Sequence, residues 1–245
     1  MNMSDEQHPG LAIDISELCF SWDGRVPILE IERLHFKKGR RVFVEGPSGS
    51  GKSTLLSLIA GVALPQKGSI RINGRQITEL NGASRDRFRA DHVGFIYQMF
   101  NLIPYLSVIE NVTLPCRFSR RRRKRAAARS ASFEAEAMRL LEQLGMDGAS
   151  VIRKPATELS VGQQQRVAAA RALIGTPEIL IADEPTSSLD TAQRENFIKL
   201  LFKECDRENT SLVFVSHDKI LEKLFDRTIR LNEINAAVTE RAKIK

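Results

Sequence analysis

The chain has 245 residues, of which 42% are hydrophobic, a size and composition typical of one large α/β domain or two small ones. No stretch approaches the roughly 18–20 consecutive apolar residues of a membrane-spanning helix, so the sequence predicts none. The scattered cysteines, Cys19, Cys116 and Cys205, suggest neither a disulfide framework nor a metal site and are typical of a reducing compartment.

The net charge of +7 at pH 7 comes largely from one place in the chain. Arg120–Arg125 is a run of six basic residues, and without it the remaining chain carries a net charge of only +1. The basic character is therefore local, and most of the protein is close to neutral.

The first part of the chain is predicted to be rich in strands. Alternating apolar residues indicate strands over residues 12–15, 17–22, 28–36, 41–44 and 69–72. Asn73-Gly74, directly after the last of these, is a strong signal of a turn between antiparallel strands. We therefore expect an antiparallel sheet in this region.

A glycine-rich segment follows the strand at 41–44 and precedes a helix predicted over 54–60. It fits the pattern G-x-x-x-x-G-K-[ST] and consists of Gly46, Pro47, Ser48, Gly49, Ser50, Gly51, Lys52, Ser53 and Thr54. The glycines allow backbone N–H groups to turn toward a polyphosphate, and the helix N-terminus adds partial positive charge. Lys52 is expected to reach the terminal phosphates and the Ser53 hydroxyl to bind Mg²⁺. The sequence therefore predicts a nucleoside triphosphate site.

The chain becomes helical between residues 104 and 171 and then returns to strands. Apolar residues at helical spacing predict a helix over 132–144, and another is predicted over 163–173. Short apolar runs at 178–182 and 211–215 are typical of a buried parallel sheet, and a helix over 191–209 lies between them. The pattern predicts a helical insertion within an α/β nucleotide-binding core.

The apolar run that ends at residue 182 is followed by two acids, Asp183 and Glu184. In a phosphate-loop protein, the first acid at the tip of such a strand lies near Mg²⁺. The second is then free to polarise a water toward the γ-phosphorus. We expect Asp183 to act in metal binding and Glu184 in catalysis.

Further motifs follow one another in an order that resembles the ATP-binding subunits of ABC transporters. They are Gln98 at the end of residues 94–98, the segment 159–166 resembling the LSGGQ signature, the acids Asp183 and Glu184, the D-loop-like Ser188, Leu189 and Asp190, and His217 in the position of the switch histidine. Together with the phosphate loop they cover nearly the whole chain. The resemblance implies a P-loop NTPase (RecA-like) core, an antiparallel β subdomain and an inserted α-helical subdomain. It implies a single ABC ATPase domain, with its core in residues 1–97 and 171–235, a helical subdomain in 98–170 and a tail in 236–245.

The same resemblance implies a dimer that closes head to tail over two ATP molecules. Each site would take the phosphate loop from one chain and the signature from the other, through Ser160, Val161, Gly162 and Gln163. Val161 replaces the first glycine of the signature, and a β-branched side chain disfavours a positive φ and adds bulk beside ATP. Its effect on turnover is left open by the sequence.

The resemblance also assigns roles within the site of one chain. Gln98 joins Ser53 and Asp183 as a Mg²⁺ ligand, Glu184 is the base, and His217 contacts the γ-phosphate. Trp22 would stack on adenine while the alternating Phe20 faces the core; the alternative is that both rings serve packing.

Residues 99–115 resemble the bacterial group that includes macrolide exporters of the MacB type, lipoprotein-release ATPases of the LolD type and the FtsE division protein. The resemblance implies a separate membrane permease, a location on the cytoplasmic face of the inner membrane, and cofactors ATP and Mg²⁺. Exposed Phe100, Leu102 and Ile103 would receive a permease helix; alternatively they belong to the helical core. The function is then export or the extraction of lipids or lipoproteins, or else mechanical transmission without transport. A soluble ABC protein of DNA repair or translation is less compatible, because those proteins carry two nucleotide domains or long coiled-coil insertions.

Arg120–Arg125 has no counterpart among these motifs. One interpretation is a solvated, partly disordered excursion, and another is a strip that touches anionic lipid headgroups at about 1 kcal/mol per charge. Nucleic acid is not expected as a partner, because no interleaved aromatic residues or groove-reading motif accompany the block.

Overall fold

The computed structural model of the chain describes residues 10–187 and 190–237. The strands are β1 (Leu11–Phe20), β2 (Leu29–Lys37), β3 (Arg41–Glu45), β4 (Lys67–Ile72), β5 (Arg75–Gln76), β6 (Val93–Ile96), β7 (Ile179–Asp183), β8 (Ser211–Val215) and β9 (Arg227–Arg230). The helices are α1 (Lys52–Ile59), α2 (Gly82–His92), α3 (Val108–Phe118), α4 (Arg120–Arg129), α5 (Phe133–Gln143), α6 (Gly148–Val151), α7 (Val161–Leu173), α8 (Thr191–Glu208) and α9 (Leu231–Ile234). The predicted α/β class is confirmed.

The chain divides into two compact units. The first unit comprises Met1–Asp86 with His217–Lys245, and the second comprises Arg87–Ser216. Within the described ranges, no helix combines the length and the apolar character needed to cross a membrane.

The first unit contains the predicted antiparallel sheet, in the order β2-β1-β4-β5. The prediction of separate strands at 12–15 and 17–22 is wrong, because β1 runs without a break from Leu11 to Phe20. Its pairing with β4 shifts register between Ser16 and Cys19, and Glu17 has a φ of +52°. A β-bulge of this kind adds a residue without ending the strand.

The first unit also contains a parallel pair, β3 and β9, with Val42 opposite Arg227. The phosphate loop runs from the end of β3 to α1, the strand–loop–helix order that the sequence predicts. Helix α1 buries Leu55, Leu56 and Ile59. This packing holds the helix in place, and the phosphate loop ends at its N-terminus.

The second unit contains the predicted parallel strands β7 and β8 and a further strand that was not predicted, β6, in the spatial order β6-β7-β8. A side chain at Gly94 on β6 would place its Cβ 2.3 Å from the carbonyl oxygen of Ala172 near the end of α7. A glycine is therefore needed here, because helix α7 approaches the strand more closely than any side chain allows.

Helix starts in the second unit follow capping rules. The helix predicted over 132–144 is α5, with the Ser132 side chain accepting a hydrogen bond at its N-terminus. Helix α7 begins at Val161, two residues earlier than predicted, because Ser160 and Gln163 form a capping box.

The basic block Arg120–Arg125 forms the first turns of α4, so the interpretation as a solvated, partly disordered excursion is wrong. Arg122 is only 3% exposed, and its guanidinium donates to the carbonyl oxygens of Ile174, at 2.7 Å, and of Ala172. Burial lowers the pKa of Arg122 to about 10, so the group stays charged at neutral pH. The guanidinium thereby provides hydrogen-bond donors for the last carbonyl oxygens of α7, and its positive charge interacts favourably with the negative end of the helix dipole.

A second contact of α4 is with Glu178, the residue before β7. Arg125 donates to the Glu178 carboxylate at 2.9 Å and Arg121 also pairs with it, while His92 lies 3.0 Å away. Burial acts to raise the pKa of Glu178, but these hydrogen bonds and charges outweigh it and lower the pKa to about 2. Ion pairs and hydrogen bonds therefore hold helix α4 against the segment that connects α7 to β7.

Candidate functional site

The phosphate loop is shaped around the Lys52 side chain. The Nζ atom of Lys52 donates to the carbonyl oxygens of Gly46, at 2.7 Å, and Pro47, at 3.0 Å. A Cβ atom at Gly46 would lie 2.5 Å from Ser50 Oγ, so a side chain there would displace the Ser50 hydroxyl. The ammonium group is held against the loop, which suits binding of a polyphosphate.

The end of the loop leads into the first turn of α1. Gly49 and Gly51 have φ values of +77° and +97°, a region that glycine adopts readily. Gly51 provides no side-chain cap for α1, and the first helical turn contains no acidic residue. The exposed Ser53 is the second residue of this helix. Amide groups at such a helix start bind anions.

Trp22 lies in the same unit, in the loop after β1. Its side chain is 62% exposed while Phe20 is 4% exposed, and the two rings meet edge to face with centroids 4.8 Å apart. The neighbouring Asp23 carboxylate accepts hydrogen bonds from the Ser21 hydroxyl and from the Arg25 N–H, and these lower its pKa to about 2. The division into one core ring and one exposed ring agrees with the expectation, and the exposed ring is available to stack on a base.

In the second unit, Gln98 and the acidic pair follow neighbouring parallel strands. Ile96 at the end of β6 pairs with Ala182 on β7, so Gln98 and Asp183 lie at the same edge of the sheet. Asp183 is the last residue of β7 and is half-buried, and Gln98 is exposed. The carboxyl edge of parallel strands is where ligands bind in α/β folds.

Glu184 has a strained backbone, with a φ of +44°. Its N–H donates to the carbonyl oxygen of Val215 at the end of β8, at 3.0 Å. Its own carbonyl oxygen accepts a hydrogen bond of 3.3 Å from the Ser187 N–H. Strain of about 1–2 kcal/mol persists only where surrounding contacts hold it, and such residues cluster at functional sites.

The signature segment forms the start of α7. Ser160 is the N-cap, with its Oγ accepting from the Gln163 N–H at 3.3 Å and its N–H donating to Gln163 Oε1 at 2.9 Å. Val161 is 47% exposed and is the first helical residue, without a positive φ. The expected conflict between a β-branched side chain and the backbone does not arise, and the half-buried Gly162 follows in the same turn.

Of the D-loop-like residues, Ser188 and Leu189 lie outside the described residues. Asp190 is exposed and is the N-cap of α8, accepting a hydrogen bond from the Gln193 N–H at 2.8 Å. His217 is exposed and lies two residues beyond the end of β8.

The expected Mg²⁺ ligands are a hydroxyl, an amide and a carboxylate oxygen, from Ser53, Gln98 and Asp183. Across the residues that the structure describes, no cluster of three or more histidine, cysteine or acidic side chains is placed to hold a metal ion. The residues present fit a cation that is held by a few hard oxygen ligands, by water and by substrate phosphates, as Mg²⁺ usually is.

Of the two alternatives for Phe100, docking surface or helical core, the structure supports the core, and Arg171 is a residue near the site that was not predicted. Phe100 is buried, not exposed as expected for permease docking, whereas Met99 and Tyr105 are 80% and 81% exposed. Arg171 on α7 donates to the carbonyl oxygens of Phe100, at 2.6 Å, and Asn101, at 2.7 Å, both of which have positive φ. Positive φ in a phenylalanine gives no signal in the sequence, and the arginine lies 71 residues further along the chain.

Comparison with known proteins agrees with this geometry. The family model described as ABC transporter matches residues 29–187. The lipoprotein-releasing system ATP-binding protein LolD of Hydrogenovibrio crunogenus is 39% identical over 213 residues, which cover 86% of this chain and 89% of that protein. The uncharacterized ABC transporter ATP-binding protein YbbA of Escherichia coli is 40% identical over 215 residues, 88% of this chain and 90% of that protein.

Solved structures are also similar. The dimeric structure of MJ0796, a bacterial ABC transporter cassette, has a TM-score of 0.76 and 33% identity, covering 89% of this chain and 93% of that chain. The dimeric structure of a post-hydrolysis state of that cassette, bound to ADP and Pi, has a TM-score of 0.74 at the same identity.

A phosphate loop at the start of a helix and an acidic pair at the end of a parallel strand define a P-loop nucleoside triphosphatase. The family match extends over more than half of the chain, and the relatives match it along most of their length. The chain belongs to the ABC transporter family and is an ATP-binding and ATP-hydrolysing subunit.

Proposed function

We propose that this subunit drives a separate membrane permease that exports a substrate or extracts lipids or lipoproteins from a membrane. The names of the LolD relatives support lipoprotein release as the type of work. The alternative, mechanical transmission without transport, is not favoured, because one relative above is named for lipoprotein release and the other as an ABC transporter protein.

The observation that carries the proposal is the phosphate loop, with Lys52 held against it by the Gly46 and Pro47 carbonyls. Lys52 and the loop N–H groups hold the phosphates of ATP, and Trp22 stacks on adenine. Glu184 polarises the attacking water as general base, and His217 contacts the γ-phosphate.

Ser53, Gln98 and Asp183 would hold Mg²⁺, whose charge neutralises the β- and γ-phosphate oxygens when it is bound. Their hard oxygen atoms are the type that this cation prefers. Asp183 also lies at the tip of a buried strand, where a nearby cation would offset its charge.

Two copies form a head-to-tail homodimer with two composite sites, as the dimeric cassette structures suggest. The Ser160 hydroxyl and the Gly162 N–H meet the γ-phosphate of the ATP held by the other copy, next to Val161 and Gln163. Of the D-loop residues, Asp190 lies along the same interface. The Ser160 oxygen already accepts the Gln163 N–H, so its hydroxyl hydrogen is left to donate to a phosphate. ATP binding closes the dimer and hydrolysis opens it.

The subunit works at the cytoplasmic face of the inner membrane, bound peripherally through its permease. Residues 98–170 form the helical subdomain against which a permease helix docks. The residues before and after it in the sequence, 1–97 and 171–235, form the core. The exposed side chains offered for docking are Met99 and Tyr105, together with half-buried Leu102 and Ile103, while Phe100 supports them from within.

Lipid contact is restricted to part of the basic block. Arg122 is buried, and Arg121 and Arg125 pair with Glu178, so the side chains proposed to meet anionic headgroups are the exposed Arg120, Arg123 and Lys124. Of these, Arg123 also lies over the Phe133 ring, 5.4 Å from its centroid. Nucleic acid is not part of the proposal.

The transport function is tested on the complex. The tagged full chain is captured from detergent-solubilised membranes of its source bacterium, and the complex is reconstituted in proteoliposomes that contain a lipid-modified protein. We expect a stoichiometric integral membrane protein, MgATP hydrolysis, and ATP-dependent release of the lipid-modified protein to an acceptor. Hydrolysis with the permease present but without any release would favour mechanical transmission, and capture of no membrane protein would contradict the proposal.

A further inference from the structure

Gln165 on α7 is completely buried, although glutamine is usually exposed. Its side-chain Nε2 donates a hydrogen bond of 2.7 Å to the carbonyl oxygen of Pro185, the residue after Glu184. The other polar atom of the same amide, Oε1, is buried without a hydrogen-bond partner in the described part of the chain. The polar contact of this side chain is therefore directed at the turn that carries the acidic pair.

Packing does not account for a glutamine at this position. A buried polar atom without a partner costs free energy, and an unbranched methionine would fill a similar volume without that cost. The amide is therefore explained by its donor group and by the carbonyl oxygen that receives it.

That carbonyl belongs to a turn under strain. The φ of Glu184 is +44°, where residues other than glycine are rarely found. The Glu184 N–H is held by Val215, its carbonyl oxygen is held by Ser187, and the next carbonyl oxygen, of Pro185, is held by Gln165. Hydrogen bonds on both sides of the strained residue keep the turn in this conformation.

We propose that Gln165 is a positioning residue for ATP hydrolysis, which fixes the turn that aims the Glu184 carboxylate at the attacking water. The inference rests on the proposed role of Glu184 as general base. Helix α7 therefore carries Gln165, which orients the base for the ATP bound by its own chain. The same helix is capped by Ser160, which is proposed to contact the ATP bound by the partner copy.

The first test compares Gln165→Met with a matched control, Thr210→Val. Thr210 is also buried, and its Oγ1 donates to the carbonyl oxygen of Pro177 at 2.8 Å, just before β7, as Pro185 lies just after it. We expect kcat of Gln165→Met to fall at least about 10-fold, because a small misplacement of a catalytic group is costly. ATP affinity should change less than about twofold, and Tm by less than about 4 °C. Thr210→Val should keep its kcat.

The second test places Gln165→Met in a Glu184→Gln background. If Gln165 acts through Glu184, the two effects on kcat are not additive, and the double variant should hydrolyse ATP no more slowly than Glu184→Gln alone. A further fall in the double variant, or an unchanged kcat in Gln165→Met, would overturn the inference and leave the role of Glu184 intact. Normal hydrolysis by Glu184→Gln alone would instead contradict the proposed base.

A third variant, Gln165→Glu, keeps the shape of the side chain and covers the case in which Gln165→Met folds poorly. The introduced carboxyl group donates to the Pro185 carbonyl only when protonated, and burial raises the pKa of such a group. The ratio of its kcat to that of the wild type should therefore rise as pH falls from about 8 to about 6. A ratio that does not change with pH would contradict the need for a donor.

Discussion

At the scale of single residues, the signature segment shows how local chemistry decides what a substitution means. Val161 stands where the family has a glycine, and the sequence suggested backbone conflict. The structure places it at the first position of α7, half-exposed and with the backbone of an ordinary helical start. The groups nearby that are proposed to meet the ATP of the partner copy, the Ser160 hydroxyl and the Gly162 N–H, lie at a helix start held by the capping box of Ser160 and Gln163.

Val161→Gly should therefore change the ATPase rate by less than about twofold. Glycine lowers helix stability by up to about 1 kcal/mol at an interior position. The loss is smaller at the first residue of a helix, because fewer helical hydrogen bonds depend on that residue. The measurement is steady-state ATPase activity with a thermal melt of the same sample. A collapse of turnover with an unchanged Tm would show that Val161 is a required part of the composite site.

The residues that sequence analysis found are those whose chemistry is local. The phosphate loop and the division of Phe20 and Trp22 into a core ring and an exposed ring follow from neighbours within a few positions. Gln165 and Arg171 were missed because their partners lie 20 and 71 residues away, and only the packing of α7 brings them together. A buried amide or guanidinium has no periodic signature that separates it from a solvated one.

At the scale of elements, α4 shows the same limit. Six consecutive basic residues give no apolar face, and the sequence allowed a disordered excursion. The structure instead buries Arg122 over the end of α7, where carbonyl oxygens and the helix dipole favour a cation. Gly175 permits this approach, since a Cβ there would lie 2.5 Å from the Cβ of Arg122.

Arg122→Met should lower the free energy of unfolding by about 2 kcal/mol, because it leaves the buried carbonyl oxygens of α7 without donors. The matched control is Arg120→Met, at the exposed start of the same helix, which should change stability by less than about 0.5 kcal/mol. Urea unfolding curves measure both. Equal stabilities of the two variants would contradict the structural role of Arg122.

The exposed part of the block can be removed without touching this contact. A triple variant, Arg120→Ser, Arg123→Ser and Lys124→Ser, should keep basal ATPase activity, since these side chains lie outside every nucleotide motif. It should bind anionic liposomes more weakly than the parent at low salt, because each basic residue near the membrane surface contributes about 1 kcal/mol of binding free energy. The difference should shrink at high salt. Equal binding by both proteins at low salt would rule out the lipid contact.

The order of elements was largely predictable, because strands and helices differ in apolar period and glycines mark their ends. The strands around the phosphate loop, α5 and the parallel strands at the acidic pair all follow their sequence patterns. The break predicted inside β1 failed because a bulge at Glu17 interrupts the alternation without ending the strand.

At the scale of the whole molecule, the proposed site residues are divided between the two units. The phosphate loop, Trp22 and His217 belong to the first unit, and Gln98, the signature and the acidic pair belong to the second. The proposed cycle also requires the signature of a second copy. Hydrolysis should therefore depend on ATP-driven dimerisation as well as on the base.

Glu184→Gln tests this account most directly, in single-turnover hydrolysis of MgATP combined with the measured mass of the protein in solution. The amide keeps the shape and hydrogen bonding of the side chain but cannot act as a base, so the rate should fall by about 100-fold or more. ATP binding should persist, and the variant should accumulate as a dimer with MgATP and return to monomer when the nucleotide is removed. Hydrolysis at a near-normal rate by Glu184→Gln, or a mass that does not respond to MgATP, would contradict the account.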